Sequence, residues 1–179
     1  MRVFVGLWPP PPVLDALEAL PRPDHPALRW TTRDQWHVTL RFLGELDEGV
    51  VTGLVERLEQ ELEGVAASDL TLGPDITWLD RAGRSPLVAP VTGADDLAAS
   101  VAQAAGGHTI EDARPFRAHL TLARVRRGKV APRGLAGPPL DASWVADRVS
   151  VVRSHLGADG ARYETVAEIP LRAASSPSR

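Results

Sequence analysis

Residues 36–44 read Trp-His-Val-Thr-Leu-Arg-Phe-Leu-Gly, a stretch in which polar and apolar side chains alternate at its start. Alternation with a period of two predicts a β-strand, in which side chains two positions apart project from the same face. His37 and Thr39 would therefore present an imidazole and a hydroxyl side by side. The strand ends at Gly44, and Asp47 is a suitable N-cap for the helix that should follow.

The same pattern occurs a second time, where residues 118–125 read Ala-His-Leu-Thr-Leu-Ala-Arg-Val. His119 and Thr121 repeat the spacing of the first pair, again inside a segment with strand composition. With 5 His and 10 Thr in 179 residues, chance predicts only about 0.3 His-x-Thr matches. The alternative is that these residues are the polar positions of two half-exposed strands. The repeat favours one site built from both strands.

Strand and helix patterns alternate over the rest of the chain. We predict strands at 2–7, within 30–46 up to Gly44, and at 69–79, 87–91, 117–126, 149–156 and 162–171. Predicted helices follow the proline run 9–12, Asp47, and a cap at Asp95 or Asp96, and 128–141 is predicted to be a loop. This order indicates an α+β fold with mostly antiparallel sheets. We interpret 1–172 as one bilobal domain and 173–179 as a disordered tail.

Composition excludes several classes of function. The chain has no cysteine, so disulfides, thiolate catalysis and Cys-ligated zinc are excluded. No apolar run is long enough for a membrane helix, and a cytoplasmic location and a monomer are expected. The net charge of −3 argues against bulk electrostatic binding of nucleic acid. Basic residues crowd around the second motif, however, which favours a local anion site: Arg114, Arg117, Arg124, Arg126, Arg127, Lys129 and Arg133.

Two histidines and two threonines suit the cleavage of a phosphodiester. Imidazole titrates near neutral pH, so one ring can accept a proton from water while the other donates one to the leaving oxygen. Threonine hydroxyls can donate hydrogen bonds to the phosphate oxygens, where negative charge builds up. This chemistry requires no cofactor, and the motifs lack the clustered carboxylates typical of hydrolytic metal sites, so no metal is predicted.

The sequence resembles the two-histidine (2H) phosphoesterase superfamily, and within it the LigT-like RNA 2′,3′-cyclic phosphodiesterases, historically called 2′-5′ RNA ligases. The matching stretches are RVFVGL at 2–7, HVTLRFLG at 37–44, RPFRAHLTLAR at 114–124 and SHLGADGARY at 154–163. The resemblance implies two antiparallel sheets with pseudo-twofold symmetry around a central cleft and helices on the outer faces. It implies metal-independent hydrolysis of RNA 2′,3′-cyclic phosphate ends to 2′-phosphates, with 2′-5′ ligation as the possible reverse reaction.

The resemblance also implies roles for individual residues. His37 would be the general acid and His119 the general base, although the sequence itself does not distinguish the two. Thr39, Thr121 and Arg124 would contact the phosphate, and Phe42 the terminal base. Strand parity, in contrast, places Phe42 and Arg124 opposite the histidines unless the strands bulge, and places Arg41 and Arg117 beside them. We therefore expect Arg41 and Arg117 to contact RNA as well.

Two other functions remain open at this stage. The same cleft could bind a nucleotide or an RNA end without turnover, although binding alone does not need two titrating groups. Alternatively, the enzyme could act on cyclic phosphates of small nucleotides, such as ADP-ribose cyclic phosphate. The expected partners are in each case RNA ends with a 2′,3′-cyclic phosphate or related nucleotides, with no membrane.

Overall fold

A computed structural model describes residues 1–80, 85–106, 115–132, 134–157 and 160–173. The strands are β1 Arg2–Leu7, β2 Leu28–Trp30, β3 Val38–Glu45, β4 Ser68–Leu72, β5 Thr77–Trp78, β6 Leu87–Thr92, β7 His119–Val125, β8 Ala142–Ala146, β9 Arg148–Gly157 and β10 Gly160–Pro170. The helices are α1 Pro11–Glu18, α2 Glu48–Leu62 and α3 Asp95–Ala105, and a short 3₁₀ turn spans Arg33–Gln35. The predicted α+β class is confirmed.

The strands of these ranges form a curled antiparallel sheet in the order β10-β9-β1-β3-β7-β6-β4-β8, with β2 beside β7 and β5 beside β6. This order is symmetric about the contact between β3 and β7, which carry the two His-x-Thr motifs. In each half the motif strand pairs with a strand that precedes a helix, β1 before α1 and β6 before α3. The two expected sheets are joined through one residue pair, Val38 with Leu120.

The helices and the histidines lie on opposite faces of this sheet. Val3, Val5 and Leu7 of β1 alternate into the same hydrophobic core as the buried faces of α2 and α3. In β3, Val38 and Leu40 point into that core, with exposures of 0% and 3%. The alternate positions of the motif strands therefore project from the other face, which we call the histidine face.

Local details of the sequence interpretation need correction. Strand β8, which closes the second half of the sheet beside β4, was not predicted, because it is short and follows a Gly- and Pro-rich loop. The N-cap of α3 is Ala94 and not the expected aspartates, both of which lie in the first turn. Pro90 is accommodated within β6 opposite His119. The predicted tail lies outside the described residues from 174 onward.

Among the helices of the described ranges, none has the length and apolar character needed to span a membrane.

Candidate active site

The two motif histidines meet where the halves of the sheet join. The pair that connects β3 to β7 consists of Val38 and Leu120, each the residue that follows a motif histidine. Because the strands are antiparallel, each histidine lies beside the threonine of the other motif. A local twofold axis through this pair therefore relates two equivalent half-sites, made of His37, Thr39, His119 and Thr121.

Both imidazole rings are held in the same way. The Nδ1 atom of His37 lies 2.7 Å from the Gln35 carbonyl oxygen, and that of His119 lies 2.6 Å from the Arg117 carbonyl oxygen. A carbonyl only accepts hydrogen bonds, so Nδ1 carries the proton in each ring. In the neutral ring Nε2 therefore has a free lone pair, and in the charged ring it has a proton to donate. Each half-site can act as an acid or as a base.

A bulge in β3 places Phe42 on the histidine face. The register between β1 and β3 shifts at Leu40, after which Phe4 lies opposite Phe42. The Phe4 ring stacks on His37 with 4.6 Å between centroids, so Phe4 belongs to the histidine face. Directly opposed residues of an antiparallel pair project from the same face, and Phe42 therefore does so too.

A second bulge, at the equivalent position of β7, places Arg124 on the histidine face. The register between β6 and β7 shifts at Leu122, which like Leu40 is the third residue after its histidine. The positive charge of Arg124 acts on both rings, where it helps to lower the pKa of His37 and of His119. Strand alternation alone would place Phe42 and Arg124 opposite the histidines, but two symmetric bulges bring both residues to the histidine face.

Thr31 stabilises the bulge in β7. Its hydroxyl, with 8% of the residue exposed, lies 2.8 Å from the carbonyl oxygens of both Thr121 and Leu122. The same hydroxyl accepts a hydrogen bond from the Trp36 indole at 3.0 Å. Because Trp36 directly precedes His37, this network connects the first motif to the bulge of the second.

Arg41 and Arg117 both line the cavity that His119 faces, which is described below. The bulge at Leu40 sets Arg41 opposite Val5 in the strand register. Arg117 is exposed, and its guanidinium donates a hydrogen bond to the Leu79 carbonyl at 3.0 Å.

Three aromatic rings enclose His37. Besides Phe4, Tyr163 lies edge-on at 4.8 Å and Trp8 at 5.7 Å between centroids. The pKa of His37 is lowered to about 4, mainly by burial and in part by the charges of Arg124 and His119, while the Gln35 carbonyl opposes the shift. In the empty site this ring is therefore neutral near pH 7.

His119 faces an open cavity of about 400 Å³ that is shared with Phe42. The cavity is lined by Thr39, Leu40, Arg41, Phe42, Leu79, Asp80, Pro115, Phe116, Arg117 and His119. Burial lowers the pKa of His119 too, and the charges of Arg124 and Arg117 add to this effect, while the Arg117 carbonyl opposes it. The Arg2 guanidinium lies 4.6 Å from the centroid of the Phe42 ring.

The hairpin of β9 and β10 curls over the histidine face and contacts the start of the first motif. The Gln35 side-chain amide donates to the Ala161 carbonyl at 2.7 Å, and its oxygen accepts from the Thr32 N–H at 3.2 Å. At Gly160 (φ 120°) a Cβ would lie only 2.6 Å from Nη1 of Arg29. The hairpin therefore docks closely, and it carries Tyr163 onto His37.

The remaining histidines lie apart from this site or outside the description. His155 is exposed on β9, with Nε2 2.9 Å from the Glu164 carboxylate, in keeping with the predicted strand-end residue. His25 accepts a hydrogen bond from the Ala27 N–H at 3.1 Å. His108 lies outside the described residues. Within the part of the chain that is described, no group of three His, Asp or Glu residues could hold a metal ion.

Sequence and structure comparisons agree with this geometry. Residues 7–75 match the family model for LigT-like phosphoesterases. TT0787 of Thermus thermophilus has the same fold, with 25% identity, a TM-score of 0.78, and coverage of 97% of this chain and 99% of that one. E. coli LigT complexed with 3′-AMP gives 22% identity, a TM-score of 0.72, and coverage of 95% and 97%. The ns2 PDE domain of MHV is more distant, at 13% identity and a TM-score of 0.53 over 93% and 100%.

No curated protein sequence matches the chain significantly. The fold and the paired His-x-Thr strands are those that the resemblance to two-histidine phosphoesterases implies. The match to the LigT-like phosphoesterase model covers residues 7–75, and the fold shared with TT0787 and E. coli LigT extends over nearly the whole chain.

Proposed function

We propose that the protein hydrolyses RNA 2′,3′-cyclic phosphate ends to 2′-phosphates, without a metal. The observation that carries this proposal is the symmetric pair of imidazoles whose Nδ1 atoms are both bonded to backbone carbonyls. Both Nε2 atoms are then free for proton transfer on one face of the sheet, beside two threonine hydroxyls. Solved structures of E. coli LigT with 3′-AMP, ATP and NADP⁺ support nucleotide binding by this fold.

In the proposed reaction, water attacks the phosphorus atom while Nε2 of His119 accepts its proton. The bond from phosphorus to the 3′ oxygen breaks, and Nε2–H of His37 donates a proton to that oxygen. Thr39, Thr121 and Arg124 stabilise the negative charge on the non-bridging oxygens. The product is a 2′-phosphate with a free 3′ hydroxyl, and the two rings have exchanged protonation states.

The low pKa of His37 is compatible with its role as the acid. A bound phosphate diester brings a negative charge next to the ring, and a nearby opposite charge favours the protonated form. His37 would therefore gain its proton mainly when the substrate is present. The aromatic rings around it keep bulk water away from the leaving oxygen.

The cavity beside His119 is the proposed site for the terminal base. The guanidinium of Arg2 covers one face of the Phe42 ring, and Phe42 also lines the cavity, where a base can stack on it. Phe116, which is 39% exposed, and Leu79 provide further apolar surface in the same cavity. Stacking tolerates any base, so this arrangement suits an RNA end of variable sequence.

The proposal is tested with an RNA oligonucleotide that carries a 2′,3′-cyclic phosphate, incubated with the protein in excess chelator. We expect conversion to a 2′-phosphate monoester, identified by phosphorus NMR. A stable cyclic end would overturn the proposal, and so would a 3′-phosphate product or a rate that chelator abolishes. Binding without conversion would favour the nucleotide-binding module instead.

The docking of the hairpin gives a second prediction. Gln35→Leu removes the side-chain bonds to Ala161 and Thr32 but keeps the backbone carbonyl that bonds His37. We expect kcat to fall about tenfold, because Tyr163 no longer packs firmly on the reacting ring. Steady-state kinetics on the cyclic-phosphate RNA measure this effect.

Gln103→Leu is the matched control, since it removes an exposed bond to Glu61 on the helical side of the protein. It should leave kcat unchanged. If Gln35→Leu retains the wild-type kcat as well, the hairpin does not position His37.

A further inference from the structure

Two arginines face each other on neighbouring strands, close to the place where β3 and β7 join. Strand β2 is antiparallel to β7, and Arg29 is the cross-strand partner of Arg124. The Cβ atoms of such a pair are about 5 Å apart, and like charges at this position destabilise a sheet. Neither guanidinium is among the ion pairs found in the described part of the chain. An anion bound between the two guanidinium groups would offset this repulsion.

Of the two arginines, Arg124 is the nearer to the histidines. The charge of Arg124 acts on the pKa of His37, of His119 and of Tyr163, whereas that of Arg29 is a cause of a shift only at Tyr163. Arg124 is therefore next to the reacting groups, and Arg29 is one step further out. Asp34 is the only carboxylate among the charges that act on Tyr163.

This region is distinct from the cavity that we assign to the base. The lining of that cavity includes Phe42 and His119 but neither Arg29 nor Arg124. Arg29 instead extends towards the hairpin, where its Nη1 atom lies next to Gly160. A nucleotide with its base at Phe42 and its cyclic phosphate between the histidines would direct another part of its backbone towards the two arginines.

We propose that Arg29 binds a second phosphate group, the one on the 5′ oxygen of the nucleoside that carries the cyclic phosphate, while Arg124 lies between the two phosphates. The guanidinium fork suits phosphate oxygens because it donates two parallel hydrogen bonds. This inference rests on the proposed function and specifies its substrate class. The preferred substrate is an RNA end with an internal phosphodiester, in place of a nucleoside cyclic monophosphate.

Equilibrium binding tests the site without turnover. Titration calorimetry compares 3′-AMP with two ligands that add a phosphate at the 5′ oxygen. These are adenosine 3′,5′-bisphosphate, which adds a monoester, and the 3′-phosphorylated dinucleotide ApA, which adds a diester. We expect both to bind wild type about tenfold more tightly than 3′-AMP, as expected for charge-assisted hydrogen bonds.

Variants of Arg29 separate a phosphate contact from a structural role. In Arg29→Gln the gain in affinity from the second phosphate should fall below about twofold, while 3′-AMP should bind as in wild type. Arg29→Lys should restore part of that gain in affinity. Arg57→Gln is the matched control, because Arg57 lies on α2, on the opposite face, and bonds the Ala104 carbonyl. A weaker affinity of Arg29→Gln for all three ligands would indicate a purely structural role and overturn the inference.

The other outcomes are equally decisive. Equal affinities of 3′-AMP and the bisphosphate for wild type would overturn the inference, as would an advantage that survives in Arg29→Gln or disappears in Arg57→Gln. An advantage for the bisphosphate alone would exclude an RNA diester as the occupant. Failure to hydrolyse a cyclic end would refute the proposed function but would leave these affinity ratios unaffected.

Discussion

Replacing His119 with asparagine should lower kcat for cyclic-phosphate hydrolysis by about 10²- to 10⁴-fold, the range that a general acid or base contributes. Asparagine retains an N–H that can donate to the Arg117 carbonyl, the partner of the ring Nδ1 at 2.6 Å. It removes Nε2, the atom that exchanges the proton. His37→Asn should have a similar effect, because its N–H can still bond the Gln35 carbonyl. Single-turnover rates on a cyclic-phosphate RNA measure both variants.

His155→Asn is the matched control for these variants. His155 is an exposed histidine whose Nε2 bonds the Glu164 carboxylate, away from the seam between the motifs. Its replacement should leave kcat unchanged. Because acid and base act in one reaction, the double variant of His37 and His119 should be little slower than either single variant. Wild-type kcat in either single variant would exclude the two-histidine mechanism.

The repeat of the His-x-Thr motif in local sequence was enough to predict one site built from both strands. A strand shows its two faces in every second residue, so the repeated His-x-Thr pattern already predicted which side chains project together. It also predicted the α+β class, because hairpin and helix signals alternate along the chain. The alternation of polar and apolar residues does not show which strands pair with each other. The symmetric order around Val38 and Leu120 depends on contacts between distant residues.

The bulges were not predictable for a related reason. Both occur at leucines, Leu40 and Leu122, in runs without the glycine that often marks a bulge. Thr31 stabilises the second bulge by bonding carbonyls about 90 residues away along the chain. An unbroken alternation therefore misplaced Phe42 and Arg124, and the resemblance to known phosphoesterases was the better guide for both.

Several residues of the site escaped the sequence analysis because long-range packing brings them in. Tyr163 belongs to the far hairpin and reaches His37 only because the hairpin tip bonds Gln35. Arg29 precedes the first motif in a segment without a recognisable pattern. Both are polar side chains close to a strand end, and this feature is too common in sequences to identify a site residue.

Acid should destabilise the folded protein specifically through His37. Burial lowers the pKa of this ring from an ordinary 6.5 to about 4. Between these values the unfolded chain binds a proton that the folded protein does not bind, so the free energy of unfolding falls as the pH falls. The stability is fully present above pH 6.5 and is lost progressively towards pH 4. The penalty reaches about 3 kcal/mol on full protonation and about 2 kcal/mol at about pH 5.

Urea denaturation at about pH 7.5 and about pH 5 measures this effect in wild type and in His37→Gln, which has no titrating ring at this position. The variant should lose about 2 kcal/mol less than wild type between the two conditions. His119 and the carboxylates are common to both proteins and cancel in the difference. His155→Gln, which alters an exposed ring, should follow wild type. If His37→Gln loses as much stability as wild type, the ring is not held in its neutral form, and the enclosure by Phe4, Trp8 and Tyr163 does not control its protonation.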